Sequence, residues 1–193
     1  AHVHATRVSL EGVKGGLIVP GAQGDDVAAH QVVLLEPWFA NGTKSLVKSP
    51  KLYWADTGLL CFLLGMRDAA DLERSPHAGA VWETFVCSEL RKRQARAGHS
   101  GLHFYRDRGH EVDFVIDRGG RFELMDAKSS RSPSRKDAGS LNAVADKLGA
   151  ERVTARRLLC RADTPHPVGG VWSLGPDEPW FDGDLTPAAR AAP

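Results

Sequence analysis

A charged hairpin is the feature that most constrains how this chain can fold. The stretch GHEVDFVIDRGGRFELMDAKSS, residues 109–130, contains two apolar runs separated by an Asp-Arg-Gly-Gly turn. A turn of this kind between two strand-forming runs predicts an antiparallel hairpin. Asp113, Asp126 and Lys128 interrupt the runs. The hairpin therefore carries charges in strands that are otherwise suited to the protein interior.

The sequence around the hairpin predicts an α/β fold. Trp82, Phe85, Val86 and Leu90 recur at helical spacing and define the buried stripe of a long helix. The predicted elements, in chain order, are a helix at 80–97, strands at 102–106, 111–116 and 122–128, a helix at 138–148 and a strand at 152–160. This α-β-β-β-α-β order indicates a mixed sheet flanked by helices.

The segments on either side of this unit give weaker signals. Short strands are expected at 31–36 and 43–48, around an Asn41-Gly42 hairpin turn. Asp56 or Thr57 is suited to cap a helix over 59–64 that ends at Gly65, and a polar connection is expected at 67–78. One more strand is expected at 171–174.

Composition excludes several classes of protein. Lys and Arg number 25 and Asp and Glu 24, a formal net charge of +1, so a nucleic-acid surface would have to be a local patch. The sequence contains no apolar run of about 18 residues, and we therefore expect no membrane span. Cys61 and Cys87 lie within apolar stretches and predict buried thiols in a reducing compartment, so the expected location is the cytoplasm.

The charges of the hairpin allow two interpretations. In the first, Lys128 neutralises Asp113 or Asp126 and nothing binds, because a charge buried alone costs several kcal/mol. In the second, Glu83 from the long helix joins the two aspartates, and carboxylates then outnumber the lysine. Oxygen ligands from separate elements suit Mg²⁺, and a nearby ammonium stabilises charge on a phosphate.

The hairpin also resembles a known family of enzymes. Asp113, Asp126 and Lys128 follow the pattern D-x12-D-x-K, which is similar to the core of the PD-(D/E)XK nucleases. The chain resembles still more closely the C-terminal domain, DUF4143, of a prokaryotic P-loop ATPase family. Four phrases carry that resemblance over about residues 36–130, namely KSPKLYWADTGLLCFLLG, GAVWETFVCSEL, FYRDRGHEVDFVI and ELMDAKSS.

The resemblance implies a restriction-endonuclease-like core and a metal-dependent site. Glu83, Asp113 and Asp126 would bind Mg²⁺ or Mn²⁺, and Lys128 would be the catalytic lysine. Asp126 stands where a Glu is more usual in the family. The implied activity is phosphodiester hydrolysis on DNA. Arg106 and Glu111 match the phrase RD…EVD, and we expect them to pair with each other.

A basic segment follows the D-x-K strand directly. Arg131, Arg135 and Lys136 are suited to hold the phosphodiester backbone of a nucleic acid. A solvated surface is the alternative for these charges.

The resemblance also implies partners and domain limits. The chain has no G-x-x-x-x-G-K-[ST] motif, so we expect no ATPase activity of its own and regard the ATPase half as a partner. The expected limits are 1–48 for the remnant of a linking region, 49–175 for the nuclease-like domain and 176–193 for an irregular tail. A second hypothesis is a catalytically inert module that binds nucleic acid, or that regulates or dimerises the attached ATPase.

Overall fold

The structure is a computed structural model that describes residues 31–39, 49–99, 101–176 and 178, together with the backbone of residues 17–18. The predicted strand at 43–48 and the Asn41-Gly42 turn lie outside the described residues. Most of the predicted linking region and of the predicted tail lies outside them as well.

The chain forms a mixed α/β structure in the predicted order. Its strands and α-helices are β1 (Leu17–Ile18), β2 (Val32–Leu35), β3 (Lys51–Trp54), α1 (Thr57–Leu63), α2 (Ala69–Arg74), α3 (Ala78–Arg96), β4 (Leu102–Arg106), β5 (Glu111–Asp117), β6 (Phe122–Ala127), α4 (Gly139–Leu148), β7 (Val153–Leu159), β8 (His166–Val168) and β9 (Val171–Leu174). Short 3-10 helices cover Arg135–Ala138 and Ala150–Arg152. From α3 to β7 the order is α-β-β-β-α-β, which confirms the prediction.

Four elements were not predicted, and the two-residue strand β1 is one of them. The polar connection contains α2, whose first turn is capped by the Asp68 side chain, which accepts the N–H of Asp71. The four-residue strand β3 begins with Lys51, a residue type that strands disfavour. The strand β8 has only three residues and contains Pro167.

A six-stranded mixed sheet forms the centre of the structure. Its strand order is β4-β5-β6-β7-β9-β8, with parallel pairing of β6 to β7 and of β7 to β9 and antiparallel pairing elsewhere. The helix α3 packs on one face, where Val86 and Leu90 join Phe114 and Met125 in one apolar cluster. The helix α4 packs on the other face, where Leu141, Val144 and Leu148 join Leu124 and Leu158. This arrangement explains why β5 and β6 are buried along almost their whole length.

A smaller sheet, with the order β1-β3-β2, joins the large sheet at its β4 edge. The strands β2 and β3 are antiparallel, so this sheet extends across the predicted boundary at residue 48. The N–H of Phe104 donates to the Glu36 carbonyl, and the N–H of Trp38 donates to the Phe104 carbonyl. Tyr53 of β3 packs in the same apolar cluster as α3. The small sheet is therefore fixed against the α3 face of the core.

The sequence predicted that no segment spans a membrane and that the thiols of Cys61 and Cys87 are buried. Within the described residues, no helix is both long enough and apolar enough to cross a membrane. Cys87 is buried as expected, whereas Cys61 on α1 is only half-buried, because α1 packs on the core mainly through Leu60.

A buried charge cluster as candidate functional site

The side chain of Lys51 lies at the centre of a group of carboxylates. Strand β3 carries it into the space between α3 and β5, where its exposed fraction is 0%. Its Nζ lies 3.1 Å from Glu83 Oε1, 2.7 Å from Glu111 Oε1 and 3.1 Å from Asp113 Oδ1. Burial alone would lower the pKa of Lys51, but the three carboxylates outweigh it and raise the pKa above its ordinary value. Lys51 is therefore a buried cation with an anionic partner for each of its N–H donors.

Tyr53 supports the same cluster from two residues further along β3. Residues two apart on a strand share a face, so its phenol points where the Lys51 ammonium points. The hydroxyl donates to Glu83 Oε1 at 2.5 Å, and both side chains are buried. Burial, followed by the charge of Glu83, holds the pKa of Tyr53 well above its ordinary value. Tyr53 therefore stays a neutral donor to the carboxylate.

Asp113 and Asp126 face each other where the hairpin ladder ends. The regular pairing of β5 with β6 runs up to Phe114 opposite Met125. Beyond that pair, the N–H of Asp113 donates to Asp126 Oδ1 at 3.0 Å, and the N–H of Ala127 donates to Asp113 Oδ2 at 3.1 Å. Each aspartate thus satisfies a backbone donor of the opposite strand, as a ladder carbonyl would.

Burial controls the ionisation of Asp126, whose exposed fraction is 3%. Burial, followed by the repulsion of Asp113, raises the pKa of Asp126 from 3.8 to about 7. Lys128 lies just after β6, with its Nζ 3.9 Å from Asp126 Oδ2 and its side chain 34% exposed. Burial would lower the pKa of Lys128, but the carboxylates nearby outweigh it, so the pKa is raised and the side chain stays cationic.

The outer side of the cluster is formed by Arg106 and Glu111. Arg106 donates from Nε and Nη2 to the two oxygens of Glu111, at 2.8 and 2.7 Å. This pairing was expected from the sequence. The ring of Phe104 lies beneath both cations, with its centroid 5.4 Å from Lys51 Nζ and 6.0 Å from the Arg106 guanidinium carbon. Glu111 is the half-exposed carboxylate of the cluster, and the bidentate contact fixes its orientation.

The four side chains predicted to form a catalytic site do lie together. Glu83 and Asp113 share the Lys51 ammonium, and Asp113 touches Asp126, which lies beside Lys128. The sequence interpretation missed Lys51 and Tyr53, and it assigned the neutralising role to Lys128. The alternation of Lys51 and Tyr53 on one face of KLYW was the signal available, because it places a charge on the inward face of a strand.

These residues, as arranged, do not fit a divalent metal. Two of the three expected ligands, Glu83 and Asp113, already surround an ammonium, and the oxygens Asp113 Oδ2 and Asp126 Oδ1 accept backbone N–H groups. Among the described residues, no group of three or more His, Cys, Asp or Glu side chains is arranged to hold a metal ion. A cation is present at the cluster, and it belongs to the chain itself.

The predicted nucleic-acid contacts lie on the surface near Lys128. Arg131 is exposed, and its Nη1 pairs with Asp163 Oδ1 at 2.9 Å. Arg135 and Lys136 are exposed on a 3-10 helix that begins with a capping box between Ser134 and Asp137, and the pKa of Asp137 is lowered. Burial would raise the pKa of Asp137, but hydrogen bonds from Ser134 and the neighbouring lysine charges outweigh it. Acidic partners thus offset part of the positive charge of this surface.

Two family models match separate parts of the chain. The model described as "Domain of unknown function (DUF4143)" matches residues 78–176, and the model described as "Domain of unknown function (DUF8612)" matches residues 27–70. The first match confirms the DUF4143 resemblance and contains all the carboxylates of the cluster. The second contains Lys51 and Tyr53. The charge cluster therefore joins the two matched segments.

The curated relatives are longer proteins. An uncharacterised protein of Mycobacterium tuberculosis and one of Mycobacterium bovis are each 41% identical to the chain over 101 residues. That alignment covers 52% of this chain and 22% of each relative. The chain thus matches about a fifth of the length of these relatives. No solved structure matches it.

Proposed function

From the premise that the chain belongs to the DUF4143 family, a family of domains of unknown function, we propose that it is a catalytically inert, nuclease-like module of a longer protein. In this proposal the charge cluster fastens the small sheet to the α/β core and does not hold a metal. The module acts as a partner and regulator of an attached ATPase half, which is the half that the sequence resemblance implies.

The nuclease-like part of the proposal is supported by the arrangement of the core. The α-β-β-β-α-β order and the mixed sheet are those expected of a restriction-endonuclease-like fold. Asp113 and Asp126 lie side by side on neighbouring strands, with Lys128 next to Asp126. Fold alone does not imply activity, so function has to be argued from the cluster.

One observation carries the inert part of the proposal, namely that the ammonium of Lys51 lies among Glu83, Glu111 and Asp113. A metal could reach these carboxylates only after that ammonium had left. Removing one partner of a buried ion pair costs about 3–5 kcal/mol, because a charge is left uncompensated. That cost opposes metal entry. The reacting group of a substrate would also have to reach carboxylates of which Glu83 and Asp113 are at most 8% exposed.

The same contacts support a linking role. Lys51 and Tyr53 belong to β3 of the small sheet, whereas their partners belong to α3 and β5 of the core. Buried charge pairs depend strongly on geometry, so they fix the position of one element on another. The relatives are several times longer than the matched segment, so they contain further regions. In this proposal such a region contacts the small sheet, and the charge cluster couples a movement of that sheet to the core.

The linking role is tested by hydrogen exchange on the chain with Lys51→Met. The substitution keeps the aliphatic stem but removes the ammonium, so the backbone amides of β3 should exchange faster than in the unmodified chain. Those of β7, two strands beyond β5 in the large sheet, should change less. Lys92→Met is the matched control, since Lys92 forms an exposed pair with Glu89. Unchanged protection of β3 would contradict the linking role.

Inertness is tested separately by incubating the unmodified chain with DNA and with RNA in the presence of Mn²⁺. We expect no cleavage. Mn²⁺-dependent cleavage that is lost in Asp113→Asn and in Lys128→Ala, but kept in Lys92→Met, would overturn the proposal. Cleavage that persists in the first two variants would identify a contaminating nuclease and leave the proposal standing.

A second candidate function is metal-dependent phosphodiester hydrolysis on DNA, with Mg²⁺ or Mn²⁺. It is favoured by the juxtaposition of Asp126 and Lys128, because Lys128 is half-exposed and cationic beside a buried carboxyl. Arg131, Arg135 and Lys136 lie on the surface that follows and would hold the backbone phosphates. This function requires Lys51 to leave the carboxylates, and the cleavage assay distinguishes it from the first.

A further inference from the structure

Three carboxylates from two core elements converge on a single point, and a side chain of a third element occupies it. We propose that Glu83, Glu111 and Asp113 form a cation site whose resident cation is the Lys51 ammonium, so that a divalent ion binds there only when that ammonium is removed. The inference rests on the proposed function, because it explains why the module needs no metal.

The contacts define a set of ligands different from the one the sequence suggested. The distances from Lys51 Nζ to the nearest oxygens of Glu83, Glu111 and Asp113 are 3.1, 2.7 and 3.1 Å. Asp126 is not in this set, because its Oδ1 accepts the N–H of Asp113 and its Oδ2 faces Lys128, at 3.9 Å from Nζ. Glu111, which was expected only to pair with Arg106, is in it. The site is therefore formed by α3 and the first half of β5.

The surroundings of the point keep water and ions away from it while Lys51 is present. Lys51 has an exposed fraction of 0%, and Tyr53 closes the Glu83 side with a hydrogen bond to Oε1. The Phe104 ring lies 5.4 Å from the ammonium on another side. An ammonium with three N–H donors satisfies three carboxylates here, so the cluster has little remaining capacity for a second cation.

Removal of the ammonium would leave the buried carboxylates of Glu83 and Asp113 close together without the cation between them, while Glu111 would keep its pairing with Arg106. Such groups must either take up protons or gather around another cation. Carboxylate oxygens such as these, from α3 and β5, are typical ligands of Mg²⁺, Mn²⁺ and Ca²⁺, whose oxygen distances are about 2.0–2.6 Å. Those distances are shorter than the present ones, so the carboxylates would have to move inward slightly. The vacancy left by a lysine side chain gives them room.

The experiment compares the unmodified chain with Lys51→Ala, using Mn²⁺ as the probe. Thermal unfolding is measured in EDTA and in millimolar MnCl₂, and bound Mn²⁺ is measured by electron paramagnetic resonance. The unmodified chain should show the same unfolding midpoint in both solutions. Lys51→Ala should unfold roughly 10 °C lower in EDTA. It should recover much of that loss in Mn²⁺ and bind the ion at least about tenfold more tightly than the unmodified chain.

Two further variants locate the binding. Adding Asp113→Asn to Lys51→Ala should abolish the Mn²⁺ recovery, because it removes a ligand of the site. Arg157→Ala breaks another buried pair, between Arg157 and Glu123, and should be destabilised without any recovery in Mn²⁺. If Lys51→Ala does not fold in either solution, Lys51→Gln takes its place, since its amide keeps a hydrogen-bond donor in the cluster.

The inference is overturned if the unmodified chain binds Mn²⁺ as tightly as the Lys51 variants do. It is also overturned if a folded Lys51 variant gains no Mn²⁺ binding, or if the Asp113→Asn addition leaves the recovery unchanged. These outcomes are independent of DNA cleavage by the unmodified chain. Failure of this inference can therefore be distinguished from failure of the proposed function.

Discussion

The main-chain N–H of Asp113 donates to the carboxylate of Asp126, 13 residues further along the chain, at 3.0 Å. The contact lies at the end of the regular ladder between β5 and β6 and holds two acidic side chains next to each other in the interior. Two adjacent carboxyl groups in a buried position do not both ionise easily. Burial first, and then the repulsion of Asp113, raise the pKa of Asp126 to about 7 although Lys128 lies beside it.

The raised pKa of Asp126 predicts a pH dependence of stability. Between its unfolded value of 3.8 and its folded value of about 7, the folded chain holds more protons at this group than the unfolded chain. The contribution of Asp126 to the free energy of unfolding should therefore be full below about pH 4 and fall as the pH rises through 7. In Asp126→Asn this pH-dependent fall in the free energy of unfolding, on the order of a few kcal/mol, should be absent. At pH 8 the substitution should be neutral or stabilising.

The matched control for this titration is Asp137→Asn. The pKa of Asp137 is lowered, so its contribution to stability is present at neutral pH and lost as the pH falls, the opposite sign. Urea unfolding of both variants and of the unmodified chain at several pH values measures the two slopes. A loss of several kcal/mol in Asp126→Asn at pH 8 would show that Lys128 needs an ionised partner, contrary to the expectation.

A comparison of two tyrosines measures the strength of the Tyr53 contact. Tyr53→Phe removes a buried donor to the Glu83 carboxylate and should lower the free energy of unfolding by about 1.5–3 kcal/mol. Tyr105→Phe removes a comparable hydrogen bond to Asp107 at a half-exposed position and should cost less than about 1 kcal/mol. Equal losses in the two variants would mean that burial of the cluster adds nothing to the strength of the contact.

The pairing of Arg131 with Asp163 predicts how DNA binding should respond to salt. Asp163 neutralises Arg131 at the surface, so binding at low salt should be weak. Asp163→Ala frees the guanidinium and should make the plot of log affinity against log salt steeper by about 1. Alanine at Arg131, Arg135 and Lys136 together should flatten it. If no binding is detected at low salt even in Asp163→Ala, nucleic acid is excluded as a partner of this surface.

Two glycines provide a test of the packing between β4 and β5. A Cβ at Gly101 would lie 2.5 Å from the Asp117 carbonyl oxygen, so Gly101→Ala should cost about 1–3 kcal/mol of stability. A Cβ at Gly139, at the start of α4, would meet nothing within 4 Å. Gly139→Ala should therefore be neutral or stabilising by about 0.4–1 kcal/mol. Chemical denaturation of both variants measures the difference, and a stable Gly101→Ala would show that the two strands can separate locally.

The core of the fold could be predicted because its elements have strong local signals. The long helix α3 carries Val86 and Leu90 of the predicted stripe in the core, although Trp82 and Phe85 are only half-buried. The hairpin of β5 and β6 is defined by its turn, and the bounds of these three elements differ from the predicted ones by at most two residues. The strands β3 and β8 could not be predicted in the same way. Both are short, and the pairing of β3 with β2 depends on tertiary contacts. The strand β8 pairs with β9 across the two-residue turn Gly169-Gly170, a local hairpin signal that was missed, while Pro167 argued against a strand there.

The members of the charge cluster could be predicted only in part. Asp113, Asp126 and Lys128 stand in strands that are otherwise apolar, and this contrast marks them in the sequence. Lys51 comes from a segment 62 residues before Asp113, with β2 as its strand partner. Sequence patterns report spacing along one element, so they could not show which buried cation would meet which carboxylate. The residue that decides the chemistry of the cluster was therefore the one hardest to predict.

The two outer strands of the six-stranded sheet bear on whether the chain aggregates at high concentration. An open strand edge recruits other chains into mixed sheets and fibrils. At β4, the segment Glu36–Trp38 already occupies both backbone hydrogen-bonding groups of Phe104. At the opposite end, β8 is three residues long and carries Pro167, which has no N–H to offer. Both ends of the sheet thus discourage edge-to-edge aggregation, at no cost to the apolar strands between them.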